Sequence, residues 1–111
     1  MIDLSRVIRH LLLTLMLALN FSATSQCSYT LTLLDSYGDG WNGNSMYYEV
    51  LGSTATTVSM TSGSAVSYQI STTTGDSLFF GWNGGGFYQS ECTFKIIDNT
   101  TGATLYTSST G

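Results

Sequence analysis

The chain has 111 residues, with three Lys+Arg, seven Asp+Glu and one His, for a formal net charge of −4. A surface of that sign is a poor match for nucleic acid or an anionic membrane. The single histidine, His10, sits near the N-terminus, so the remainder has no imidazole for a Ser/His/Asp triad, a Cys/His pair or a zinc site, and common hydrolase chemistry is largely excluded.

Arg6 and Arg9 precede the apolar run Leu11 to Leu19, and a polar stretch of small residues follows, which is the order of a signal peptide. Residues 1–25 are therefore expected to be removed on export. A cut after Ser25 puts Ala23 and Ser25 at the small-residue positions and makes Gln26 the new N-terminus. A membrane anchor is the competing reading, but the run falls well short of the roughly 20 residues needed to span. Cys27 also invites a lipoprotein cut, against which Gln26 argues, since that position takes a small residue. The mature part, 26–111, suffices for one small domain, secreted or at the cell surface, with no membrane insertion after cleavage. Its acids Asp35, Asp39, Glu49, Asp76, Glu91 and Asp98 face Lys95 as the sole base.

Two cysteines in an exported chain allow one pairing, so Cys27 and Cys92 are expected to form a structural disulfide. Closing a loop of that length removes on the order of 4 kcal/mol of unfolded-chain entropy. A redox or nucleophilic role finds neither a C-x-x-C spacing nor a neighbouring base.

Apolar residues then recur at every second position, the mark of half-buried strands. Cys27 to Leu34 places Tyr29, Leu31 and Leu33 on one face. Ser45 to Leu51 does so with Met46, Tyr48 and Val50, and a weaker strand covers Thr56 to Met60. Ala65 to Ser71 aligns Val66, Tyr68 and Ile70; Leu78 and Phe80 mark a further strand. Cys92, Phe94 and Ile96 alternate with Thr93, Lys95 and Ile97, and Leu105 lies in a last run from Ala103 to Ser108. Turn signals separate these runs at Gly52-Ser53, Ser62-Gly63-Ser64, Gly75-Asp76, Gly84-Gly85-Gly86 and Asp98 to Gly102. The pattern predicts an all-β, antiparallel two-sheet sandwich of jelly-roll type with about seven or eight strands.

Between the first two strands lies Asp35 to Asn44, D-S-Y-G-D-G-W-N-G-N, which concentrates carboxylates, amides and glycines. Glycines permit positive φ and crowd carbonyls together, while Asp and Asn oxygens can turn inward, so such a loop suits a hard cation and calcium is the expected cofactor. Counted from Asp35 against an EF-hand loop, Asp39 falls at five, Gly40 at six and the Trp41 carbonyl at seven, but Tyr37 stands at three and Met46 at twelve. The missing acid must come from elsewhere. Glu91 is the candidate, because the expected bridge ties its neighbour Cys92 to the strand leading into Asp35; Asp76 and Asn83 are further contributors. The plainer alternative has Asp35 and Asp39 capping turns, with Gly40 and Gly43 supplying positive φ.

The run Trp82 to Tyr88, W-N-G-G-G-F-Y, offers few side chains to bury its own rings. Trp41, Trp82, Phe87 and Tyr88 either close one end of the core or form an exposed platform for sugar rings, with Asn42, Asn83 and Gln89 as hydrogen-bond partners.

The stretch Leu31 to Asn44, then Gly75-Asp76, then Ser90-Glu91-Cys92-Thr93-Phe94 resembles the "DSYGDGWNG" β-sandwich repeat domains of secreted and cell-surface proteins. The likeness runs from Cys27 to about Tyr106. It implies a non-catalytic accessory or adhesive unit of the kind that accompanies peptidase or adhesin domains, acting on an extracellular protein or polysaccharide. This chain departs by standing alone, either as a single-module protein or as part of a longer one. The first expectation is thus an interaction module stabilised by calcium at Asp35, Asp39, Glu91 and the Trp41 carbonyl. The alternative is a carbohydrate-binding module, and a glycosidase using paired carboxylates is the third.

Overall fold

A computed structural model describes residues 25–109. The signal segment up to residue 24, including Ala23, lies outside them.

Seven strands follow in order: β1 (Gln26–Asp35), β2 (Ser45–Val50), β3 (Thr56–Val58), β4 (Ala65–Thr73), β5 (Leu78–Gly84), β6 (Cys92–Asp98) and β7 (Thr104–Thr107). One 3-10 turn, Gln89–Glu91, leads into β6. Every strand pair is antiparallel, in one sheet ordered β4-β1-β6-β7 and a second ordered β3-β2-β5. The alternation read from the sequence is what packs them. Leu31 and Leu33 of β1, Met46 of β2, Ile70 of β4 and Ile96 of β6 are buried in one core, and Tyr29, Tyr48, Val66, Tyr68, Leu78, Phe80 and Phe94 pack around it. Stacking of Phe80 on Phe94, with centroids 6.4 Å apart, joins the second sheet to the first.

The jelly-roll expectation needs correction. A jelly roll sets eight strands in two sheets, whereas four strands here face three and the sheets do not close around one another. Along the β3/β4 side the Tyr68 hydroxyl of β4 donates to the Ser59 carbonyl just past β3 at 2.7 Å and the Trp41 N–H of one loop donates to Met60 O of another at 2.8 Å, while Asp35 N–H to Ser64 O at 2.9 Å extends the β1–β4 ladder. At the β5/β7 side a cleft of about 400 Å³ stays open between Leu78, Phe80, Phe94, Ile96 and Tyr106.

The expected disulfide is also absent: Cys27 and Cys92 are both free thiols. Register explains why. Cys92 lies opposite Asp35 at the end of β1, while Cys27 lies near its start, opposite Thr72. Eight residues of extended chain separate those places, about 26 Å at about 3.3 Å per residue, and a disulfide needs Cα atoms within about 7 Å.

Candidate metal centre

The connection from Asp35 to Asn44 folds around a single carboxylate. Asp35 is buried, and its Oδ2 accepts the backbone N–H groups of Gly38 at 2.8 Å, Asp39 at 2.7 Å and Gly40 at 2.9 Å, while Oδ1 accepts that of Tyr37 at 3.3 Å. Burial by itself would raise the Asp35 pKa. The four donors outweigh it and hold the carboxyl below its usual value of 3.8, because each favours the charged form. The turn-capping role weighed from the sequence is thus realised at Asp35 by four N–H groups at once.

Gly40 is where this wrap requires glycine. Its φ is +92°, and a Cβ there would meet the backbone of Met60, Thr61 and Ser62 at 2.7–2.8 Å. From Gly40 the chain turns inward, which leaves Trp41 with no exposed surface and its Nε1–H donating to the Leu34 carbonyl at 2.9 Å.

Glu91 joins the loop as expected, though by a different route from the one proposed. With no bridge present, the β1–β6 pairing does the work: Cys92 lies opposite Asp35, so Glu91 falls just beyond the strand end, where its carbonyl accepts the Ser36 N–H at 3.1 Å. Ligand atoms of Asp35, Asp39 and Glu91 all come within 4.8 Å of one another. That span matches a cation held by bonds of about 2.4 Å, so the cluster could hold a metal ion. Burial first, then the charges of Asp35 and Asp39, push the Glu91 carboxyl above its usual 4.5. Three acids gathered on a chain whose sole described base is Lys95 make a pocket of unbalanced negative charge. A notch of about 260 Å³ bounded by Tyr37, Asp39, Tyr88 and Glu91 opens onto it.

Other expected residues fall elsewhere. The Trp41 carbonyl, expected as a ligand, instead accepts both the backbone N–H and the Nδ2–H of Asn44, each at 2.9 Å. A carbonyl has two lone pairs, and both are used. Nor can the buried Trp41 ring stack on a ligand; it packs edge-on against Trp82 with centroids 5.3 Å apart. Trp82 is 43 % exposed, Phe87 75 % and Tyr88 65 %, so three of the four proposed platform rings do face solvent. Asn42 donates through Nδ2 to Asp39 Oδ1 at 3.1 Å, and Asn83 to Ser45 Oγ at 3.2 Å. Asp76 caps its own turn, accepting the Thr73 N–H at 2.8 Å.

Asn44 was missed. It has no exposed surface, and its Nδ2 also donates to Phe87 O at 2.6 Å while Oδ1 accepts the Gly86 N–H at 2.9 Å. One amide therefore stitches the acidic loop to the glycine-rich loop that precedes Glu91. Gly86 must lack a side chain, since a Cβ there would collide with the backbone of Asn42, Gly43 and Asn44. Its signal in the sequence was the second Asn of N-G-N set before a strand, facing three consecutive glycines.

Among the described residues, no helix is long and apolar enough to cross a membrane. Comparison of the chain with protein-family models, with curated proteins and with solved structures finds no match.

Proposed function

We propose that this chain is an extracellular, non-catalytic interaction module, of the D-S-Y-G-D-G-W-N-G kind it resembles, whose acidic notch binds calcium. One observation carries the reading: Asp35, Asp39 and Glu91 converge within bridging distance of a single cation, and Lys95 is the sole base among the described residues. Asp39 and Glu91 are the principal ligands. Asp35 contributes what Oδ1 has left after its bond to Tyr37, because Oδ2 is filled. Calcium takes six to eight oxygens, so water or a partner's oxygen completes the shell from the open notch. Bound there, the cation ties the first loop to the start of β6 and presents a rigid end of the sandwich to an extracellular protein or polysaccharide.

The test is a pair of melts on the chain from Gln26 to Gly111, parent and Glu91→Gln, in EDTA and in calcium. Without metal, Glu91 carries a charge that its neighbours disfavour, so the variant melts at or above the parent. With calcium at about 100 times its dissociation constant, the parent gains about 2.7 kcal/mol, the variant gains much less, and the order reverses. Parallel melts in magnesium and zinc identify which cation the notch prefers. Equal parent midpoints in EDTA and in calcium would sink the proposal.

A second reading is favoured by the exposure of Trp82, Phe87 and Tyr88. Tyr88 borders the notch, and in this reading the three rings stack on sugars. Retention on a polysaccharide column, lost on Phe87→Ala but kept in EDTA, would favour this reading over the first.

A further inference from the structure

The sandwich is bonded across its β3/β4 side and open along β5 and β7. Each of these two is the outer strand of its sheet, and no backbone hydrogen bond links them among the described residues. At the start of β5 the Leu51 N–H donates to Ser77 O at 2.9 Å. Alternation along an antiparallel pair then turns the backbone groups of Phe79 and Gly81 toward β2 and those of Leu78, Phe80 and Trp82 outward. The same three residues line the inner face, Leu78 and Phe80 against the core and Trp82 against Trp41. The result is a row of unpaired donors and acceptors above an apolar cleft. Edge strands usually guard against such exposure with charge or proline, and L-F-F-G-W-N-G has neither.

We infer that β5 pairs antiparallel with β5 of a second copy of this chain, about a two-fold axis through Phe80. The backbone of β5 is self-complementary in this register. Its outward backbone groups fall at even positions, and a two-fold at Phe80 sets Phe80 against Phe80 and Leu78 against Trp82, so each donor meets an acceptor. On the outer face the same register puts Phe79, 49 % exposed, opposite Gly81 of the second copy. The Tyr47 ring already covers that glycine, so in this register Phe79 of one copy packs against the Tyr47 ring of the other. For a chain rich in acids, β5 is also an edge where two copies meet without opposing charges. The other long edge, β4, turns polar Ser67, Gln69 and Ser71 outward, and its Tyr68 is already committed to Ser59. The union is isologous, giving a six-stranded sheet ordered β3-β2-β5-β5-β2-β3. It is independent of the metal site.

Sedimentation equilibrium of the reduced chain from Gln26 to Gly111, in EDTA, with amide exchange at low and high concentration, tests this. A monomer–dimer equilibrium is expected, with the amides of Leu78, Phe80 and Trp82 gaining protection as concentration rises while those of Phe79 and Gly81 are protected throughout. Phe79→Lys and Phe79→Glu each place two like charges across the axis and should weaken the dimer about tenfold or more, with the monomer's circular dichroism unchanged. A chain that stays monomeric to about 1 mM, a dimer whose added protection lies on β4 or β7, or charged variants that dimerise like the parent would each overturn the inference.

Discussion

Replacing Asp35 with alanine is expected to remove roughly 4 kcal/mol of folding stability, a large fraction of the 5–15 kcal/mol typical of a domain. Four backbone N–H groups, of Tyr37, Gly38, Asp39 and Gly40, lose their acceptor together. The loop is too short and too enclosed to turn all of them to water, because Gly40 is wedged against the backbone of Met60 to Ser62. Asp35→Asn keeps one acceptor oxygen and should fall between parent and alanine. Urea unfolding at neutral pH checks the series, and a loss below about 1 kcal/mol for Asp35→Ala would show that water replaces the carboxylate.

Acid gives the same prediction a second handle. The folded Asp35 carboxyl lies below its usual 3.8, so its contribution is complete above that value and disappears as pH falls through the lowered folded pKa. The gap between parent and Asp35→Ala should therefore hold from neutral pH down to about pH 4 and narrow only below it. Glu91 has the opposite sign. Its carboxyl lies above 4.5, so in metal-free protein it lowers stability as pH rises through that region, and the proposed calcium ion would reverse the effect by favouring the ionised form. Calcium-induced stabilisation should accordingly fade in mild acid, before the Asp35 contribution does.

Trp41→Ala is expected to cost about 4 kcal/mol, within the 3–5 kcal/mol typical of emptying a large aromatic site. Trp41 is the largest side chain with no exposure at all, and two contacts anchor it. Its indole N–H holds the end of β1 through Leu34, and its ring supports Trp82. Trp41→Phe keeps the packing and loses the indole bond, so it should cost about 1 kcal/mol plus a small cavity term. Guanidinium unfolding followed by far-UV circular dichroism measures both. A parent-like midpoint for Trp41→Ala would mean the ring is not the keystone its burial indicates. Because Trp82 is partly exposed, iodide should quench fluorescence more in Trp41→Phe, where Trp82 alone emits, than in Trp82→Phe.

The strands were legible, and the inward faces of all but β7, where Tyr106 rather than Leu105 packs on Phe94, because the side-chain period of a strand is local. Leu31 and Leu33 alternate with Thr30 and Thr32 whether or not a partner strand is known, and a two-residue repeat is all that is needed to orient them. Gly40 was legible for a similar reason, since positive φ is a property of one residue. Asp35 was legible as a special residue but not in its role. A carboxylate in a glycine-rich loop accepts cations or backbone N–H groups with equal chemistry, and only the path of the chain decides which of them reaches it.

Contacts distant in sequence depended on register. Glu91 reaches Asp35 because β6 pairs with β1 so that Cys92 lies opposite Asp35; the same register carries Cys27 to the far end of β1 and rules out the bridge that oxidation chemistry alone would favour. Sequence spacing fixes neither result, as a shift along β1 changes every cross-strand neighbour. Trp41 turned inward because the Asp35 wrap aims the following residue at the core, and four strands facing three left β5 with an open edge. Composition and local periodicity thus determined the kind of domain and which faces are apolar. The tertiary structure alone decided which carboxylates meet, which thiols stay apart and which edge is free, because those depend on where one strand stops against another.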